Sequence, residues 1–124
     1  IACGPMVPEA MRAAVILKEE YGIETRILNI HTVKPIDREA IMTAAYETGA
    51  VLTCEEHQRG GFGNIIASVI SCEKDYKTSF VFDMIGVEDR FGDSGGPWEL
   101  MVRFKLTAEH IVQKAQNLLQ RREQ

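Results

Sequence analysis

Cys54-Glu55-Glu56-His57 and the nearby Gly60-Gly61-Phe62-Gly63 carry the most chemical potential in the chain. A carboxylate and an imidazole can trade protons near neutral pH, so Glu55, Glu56 and His57 are candidate acid/base groups. Adjacent residues of an extended chain point to opposite faces, however, and the three cannot converge on one substrate atom without a bend. An interface role, or a hydrogen-bonded structural role, is the stronger reading. The glycines open a helical pattern and could expose unpaired N–H groups to an anion. Yet the dinucleotide fingerprint belongs after the first strand, and the first turn here reads Gly4-Pro5-Met6-Val7-Pro8. The Walker pattern is also absent. Glycines that permit a tight turn and close helix packing are the simpler reading of Gly60, Gly61 and Gly63.

A second charged loop runs from Asp89 to Gly96. Ser94 lacks the nucleophile-elbow context, and Asp89 and Asp93 lack calcium-loop spacing. Arg90 beside Phe91 suits a partner surface better than a pocket. His31 and His110 carry no pattern of their own. Cys3, Cys54 and Cys72 are widely spaced and form no Cys-x-x-Cys pair, so neither a zinc site nor a thioredoxin motif is indicated. Reduced core cysteines are the expectation.

The elements that must hold these residues alternate. Helices are expected from about Val7 to Tyr21, from the Asp37 cap to Thr48, over Gly63–Glu73, from Pro97 to Phe104 and from Ala108 to Arg122. Strands are expected before Gly4, at Thr25–Ile30, at Ala50–Cys54 and at Phe80–Ile85. The first helix should bury Ala10, Ala14, Leu17 and Tyr21, and Gly22 and Gly49 should end helices. Thr107 should cap the last helix, which should bury Ile111, Ala115 and Leu118. This order implies an α/β fold: three layers, α/β/α, around a mainly parallel sheet of four strands in spatial order 2-1-3-4. In a parallel sheet the loops after strands two, three and four share one edge, so Lys34, Glu56, His57 and Arg90 should gather there.

The 124 residues suffice for one domain with a core. A net charge of -4 and the lack of a basic stripe argue against nucleic acid as a partner. No apolar run reaches membrane-spanning length, and a cytoplasmic location is expected. Only three residues precede Gly4 and none is methionine. Residues 1–124 therefore read as a single domain cut from a longer polypeptide.

Three motifs, taken together, resemble a known family. They are Val33-Lys34-Pro35-Ile36-Asp37, Cys54-Glu55-Glu56-His57 with Gly60-Gly61-Phe62-Gly63, and the run from Ile85-Gly86-Val87-Glu88 through Asp89-Arg90-Phe91-Gly92-Asp93-Ser94-Gly95. In order and spacing they look like the C-terminal domain of transketolases, within the thiamine-diphosphate enzyme superfamily. The tail Leu106-Thr107-Ala108-Glu109-His110-Ile111 is similar to that family's closing helix. The Glu-Glu-His and the Phe-Gly-Asp-Ser-Gly loop favour the split type, whose C-terminal half is a separate chain.

The resemblance implies a parent enzyme that moves a two-carbon ketol unit between sugar phosphates, as in the pentose phosphate pathway. Thiamine diphosphate and magnesium would sit in the complete enzyme, and none would be bound by this fragment. The partners would be the cofactor-binding and middle domains, on the same or a separate chain, in a homodimer or heterotetramer. The family's catalytic residues lie outside this chain, so no catalytic, cofactor or metal residue carries over. Lys34, Glu55, Glu56, His57, Gly60, Gly61, Phe62 and Arg90 are left as interface candidates. The alternatives are the corresponding domain of a 2-oxoacid dehydrogenase beta chain or of 1-deoxyxylulose-5-phosphate synthase. A stand-alone regulatory module binding an anion at Gly60–Gly63 is an alternative of another class.

Overall fold

The computed structural model describes residues 1–73 and 79–122. Its elements are α1 (Met6–Tyr21), α2 (Arg38–Thr48), β1 (Ala50–Gln58), α3 (Phe62–Glu73), β2 (Val81–Val87), α4 (Pro97–Arg103) and α5 (Ala108–Arg122), so the expected alternation holds from α2 on and its first two strands are not formed as elements. The punctuation read from the sequence operates locally. The Asp37 carboxylate accepts the Ala40 N–H at 3.0 Å and starts α2. Gly22 and Gly49 end α1 and α2 in left-handed conformation, with φ of 67° and 66°. Pro97 occupies the first turn of α4, where Glu99 reaches back to the Gly96 N–H at 3.2 Å.

The sheet is parallel. β1 and β2 pair from Ala50↔Val81 to Cys54↔Ile85 and again at Gln58↔Val87. The first two expected strands are reduced to single bridges, Ala2↔Asn29 and Ala2↔Cys54, both parallel. The spatial order is thus the 23–30 segment, the 1–3 segment, β1 and β2, but only two extended strands form among the described residues. Ala2 is the bridged residue on both sides, and the chain turns at Gly4 (φ 54°).

Two apolar layers cover the sheet. On one face Ala2, Cys54 and Ile85 pack against Ala10, Ala13 and Leu17 of α1 and Ile111 and Val112 of α5. On the other, Val51 packs with Ile41 and Ala45 of α2 and Phe62, Ile66 and Ile70 of α3. This is the expected three-layer arrangement. Some burial details differ. Tyr21 is exposed, and the buried face of α1 instead carries Met6, Glu9 and Ala13. Cys72 is exposed rather than in the core, while Cys54 is buried and Cys3 half-buried.

Candidate functional site

β1 runs four residues past its expected end, and that extension shapes the site. Between Cys54↔Ile85 and Gln58↔Val87 three residues of β1 stand against one of β2. Such an irregularity bends the strand and re-aims its side chains. Gly86 sits opposite it. A Cβ there would lie 3.0 Å from the His57 carbonyl oxygen and 3.2 Å from the Arg59 nitrogen, so only glycine lets the bend close onto β2.

The bend does not converge Glu55, Glu56 and His57. Glu55 is 0% exposed, whereas Glu56 and His57 face solvent. The Glu55 carboxylate lies at the start of α3. One oxygen accepts the Phe62 N–H at 2.7 Å and the other accepts the Gly63 N–H at 3.0 Å. The protein's own carboxylate thus sits where an anion would have bound, at the positive end of the helix. Neighbouring amides are engaged too, Gly61 to the Gln58 carbonyl and Ile65 to the Gly61 carbonyl. This overturns the reading of Gly60–Gly63 as an anion cradle. The glycines serve packing: a Cβ on Gly61 would lie 2.8 Å from Glu55 Oε2, and one on Gly63 would lie 2.6 Å from Met84 Sδ and 2.8 Å from Thr53 Oγ1.

Glu55 and Phe62 are therefore interior residues. The exposed candidates are Lys34, Glu56, His57, Gly60, Gly61 and Arg90. The loops that bear them leave the C-terminal ends of parallel segments. Arg90 is fixed in place: its guanidinium lies 4.4 Å over the Phe104 ring and 3.7 Å from Asp93. Gln58 at the end of β1 donates to the Arg90 carbonyl at 3.4 Å, tying the two loops together. Next to it, Arg59 pairs with Glu88 at 3.4 Å. Among the described residues no hydrogen bond or ion pair joins Lys34, Glu56 or His57 to Arg90. Phe91 is 98% exposed at the tip of its loop.

Buried thiol chemistry is unavailable at this edge, because burial pushes the Cys54 thiol up to about 11. Among the described residues no group of three His, Cys, Asp or Glu is placed to hold a metal ion. With the Phe62 and Gly63 amides taken by Glu55, the start of α3 does not offer those N–H groups to a diphosphate.

Sequence reasoning passed over Asp83. It interrupts the apolar run Val81-Phe82-Asp83-Met84-Ile85, which is a signal in itself. Its side chain is 14% exposed and meets Arg121 at 2.7 Å, Lys114 at 3.3 Å and Arg59 at 3.7 Å. Burial alone would raise its carboxyl. The Met84 N–H and the Lys114 and Arg121 charges outweigh that and hold it below its ordinary 3.8. A depressed folded value stabilises the protein above the unfolded value and ceases to do so as pH falls through the folded one. Asp83→Asn should therefore be less stable than wild type at neutral pH and should lose less on acidification. Denaturant midpoints taken from about pH 6 down to about pH 2 measure this. Equal slopes for the two proteins would refute it.

A family model described as the C-terminal domain of transketolase matches residues 1–111. The chain belongs to that family. This transketolase C-terminal domain is 38% identical to the 6-deoxy-6-sulfo-D-fructose transketolase subunit SqwH of Clostridium sp. (strain MSTE9), over 98% of this chain and 37% of that protein. It is 36% identical to an apulose-4-phosphate transketolase subunit of Phocaeicola vulgatus, over 93% of this chain and 35% of that protein. It is also 36% identical to the 1-deoxy-D-xylulose-5-phosphate synthase of Desulforudis audaxviator, over 94% of this chain and 18% of the enzyme. A solved structure of a split-gene transketolase, described as an inactive beta4 tetramer, superposes with a TM-score of 0.86 at 39% identity, over 96% of this chain and 38% of that one. The chain thus spans about a third of the length of the transketolase subunits it matches.

Proposed function

We propose that this domain is the assembly domain of a transketolase, and that the parent transfers a two-carbon ketol unit between sugar phosphates in the cytoplasm, in chemistry of the pentose phosphate type. Thiamine diphosphate and magnesium would be bound by the cofactor-binding and middle domains, on the same or a separate chain. When bound there, the cofactor supplies the carbanion chemistry. The present residues pack those domains together and help hold a homodimer or heterotetramer.

One observation carries this reading. At the strand-end edge the one buried carboxylate of the Glu-Glu-His trio is spent inside the domain, on the amides of α3. What remains outside is a charged, solvent-facing rim of Glu56, His57 and Arg90. A rim of that kind tunes association rather than chemistry. In the parent enzyme, Glu56→Ala and Arg90→Ala should loosen the oligomer before they alter turnover. Sedimentation at several protein concentrations, alongside turnover at saturating cofactor, tests this. Oligomers as tight as wild type with turnover abolished would make these residues catalytic and defeat the proposal.

A companion measurement concerns the cofactor. Titrating thiamine diphosphate with magnesium into residues 1–124 alone should give no saturable heat. Micromolar binding would contradict the assignment of the cofactor to other domains. The match to 1-deoxy-D-xylulose-5-phosphate synthase supports a second reading of the parent, distinguished by assaying which sugar phosphate it forms.

A further inference from the structure

Among the described residues the sheet ends at β2, and its outer edge meets α5 in a cavity of about 160 Å³. Met84 and Gly86 line it from the sheet. His110, Gln113, Lys114 and Asn117 line it from the helix, at the spacing that puts them on one side of α5. Phe104 and Lys105, at the end of α4, complete it.

The backbone limits the length of what can bind. In a parallel ladder, successive residues of a strand turn their N–H and C=O to opposite sides. The Val81 N–H donates to the Gly49 carbonyl at 3.1 Å, and the Val87 carbonyl accepts the Arg59 N–H at 2.8 Å, so the odd-numbered residues of β2 serve β1. Phe82, Met84 and Gly86 therefore face outward. Two of their groups are already engaged. The Asp83 carboxylate accepts the Met84 N–H at 2.8 Å, and the Phe82 carbonyl accepts from Arg121 at 3.5 Å. Past that latch the outward groups are the Met84 carbonyl and the polar atoms of Gly86. Strands commonly run about five to six residues, so a stretch this short suits a small molecule rather than a pairing strand.

The side chains set its chemistry. His110 Nδ1 meets the Thr107 hydroxyl at 2.9 Å, which leaves Nε2 for a ligand. Among the described residues no hydrogen bond or ion pair holds the side chains of Lys105, Gln113 or Asn117. Lys114 shares Asp83 with Arg121, at 3.3 Å and 2.7 Å, and Glu88 is answered by Arg59 at 3.4 Å. Positive charge is in excess here, in a chain of net charge -4. Lys105 is also the one non-glycine residue among those described with a positive φ, 59°, at a post-helix position where glycine would serve without strain. The turn alone does not call for a lysine.

We propose that this cavity binds a small anion that also carries hydroxyl groups, a phosphate ester or a hydroxycarboxylate. Lys105 and Lys114 hold the anionic group. The amides of Gln113 and Asn117, each both donor and acceptor, take the hydroxyls together with the Met84 carbonyl. The inference rests on the cavity and its lining and is independent of the reaction the parent performs.

The test is acylation footprinting of lysines in the parent enzyme, read by mass spectrometry, with glycerol 3-phosphate, glycerate, inorganic phosphate and glycerol as separate probes. A ligand at about ten times its Kd should slow acylation of Lys105 about tenfold, because the reagent then needs the unoccupied site. Lys18, paired with Glu24 outside the cavity, should not change. Protection by glycerol 3-phosphate assigns the site to a phosphate ester and protection by glycerate to a hydroxycarboxylate, and either supports the proposal. Gln113→Leu combined with Asn117→Leu, both at exposed positions, removes the hydroxyl partners without changing charge and should abolish the protection. No protection by either hydroxylated anion would overturn the proposal. So would equal protection by glycerol or by inorganic phosphate, or protection that survives in the double variant.

Discussion

Replacing Glu55 by alanine should destabilise the domain by about 3 kcal/mol, a large share of the 5–15 kcal/mol typical of a whole domain. The substitution removes two charge-assisted hydrogen bonds, to the Phe62 and Gly63 amides, inside a site with no solvent to replace them. It also leaves a void at the junction of β1 and α3. Glu55→Gln separates these contributions. The glutamine keeps the shape and one acceptor, but turns an NH2 group toward a second N–H, so it should fall between wild type and Glu55→Ala. Chemical denaturation of the three proteins measures this. A Glu55→Ala protein within about 0.5 kcal/mol of wild type, the range of ordinary surface changes, would mean that the carboxylate does not cap α3.

Glu9→Ala is expected to cost about 2 kcal/mol. Glu9 is buried on α1, and one carboxylate oxygen accepts the Ala108 N–H at 2.7 Å, capping α5 from 99 residues away. The other accepts from Arg12 at 3.0 Å. Ala108 is itself fully buried, so its amide would be left without a partner. Because Glu9 and Glu55 serve opposite faces of the sheet, the double variant should show losses that add. A loss well short of the sum would indicate that the two helix starts are coupled through the sheet.

The two carboxylates show what a sequence exposes and what it hides. Helix limits were legible wherever the determinant is local: Asp37 and its bond to the Ala40 amide, the left-handed glycines 22 and 49, and Pro97 in a first turn. The site was half legible. Glu55, Glu56 and His57 stood out by type, and adjacency argued that they diverge, as they do. That Glu55 turns inward to α3 depends on the strand bend opposite Gly86, which composition does not encode. Thr107 looked like the cap of α5 because local rules favour it. Its hydroxyl instead meets His110 Nδ1 at 2.9 Å, and the cap comes from Glu9, a contact no sequence window spans. The strand before Gly4 and the one at 25–30 were placed in the right spatial order but appear as single bridges through Ala2.

The bond from Glu9 to Ala108 also sets an order of events during synthesis. α1 leaves the ribosome before α5 with a buried carboxylate whose amide partner comes 99 residues later, and with an apolar face that β1 covers only in part. Until Ala108 and Ile111 emerge, that layer is incomplete, while α2, α3 and β1 can already pack against one another. The face built on α2 and α3 can therefore mature on the nascent chain. The α1–α5 face is completed last.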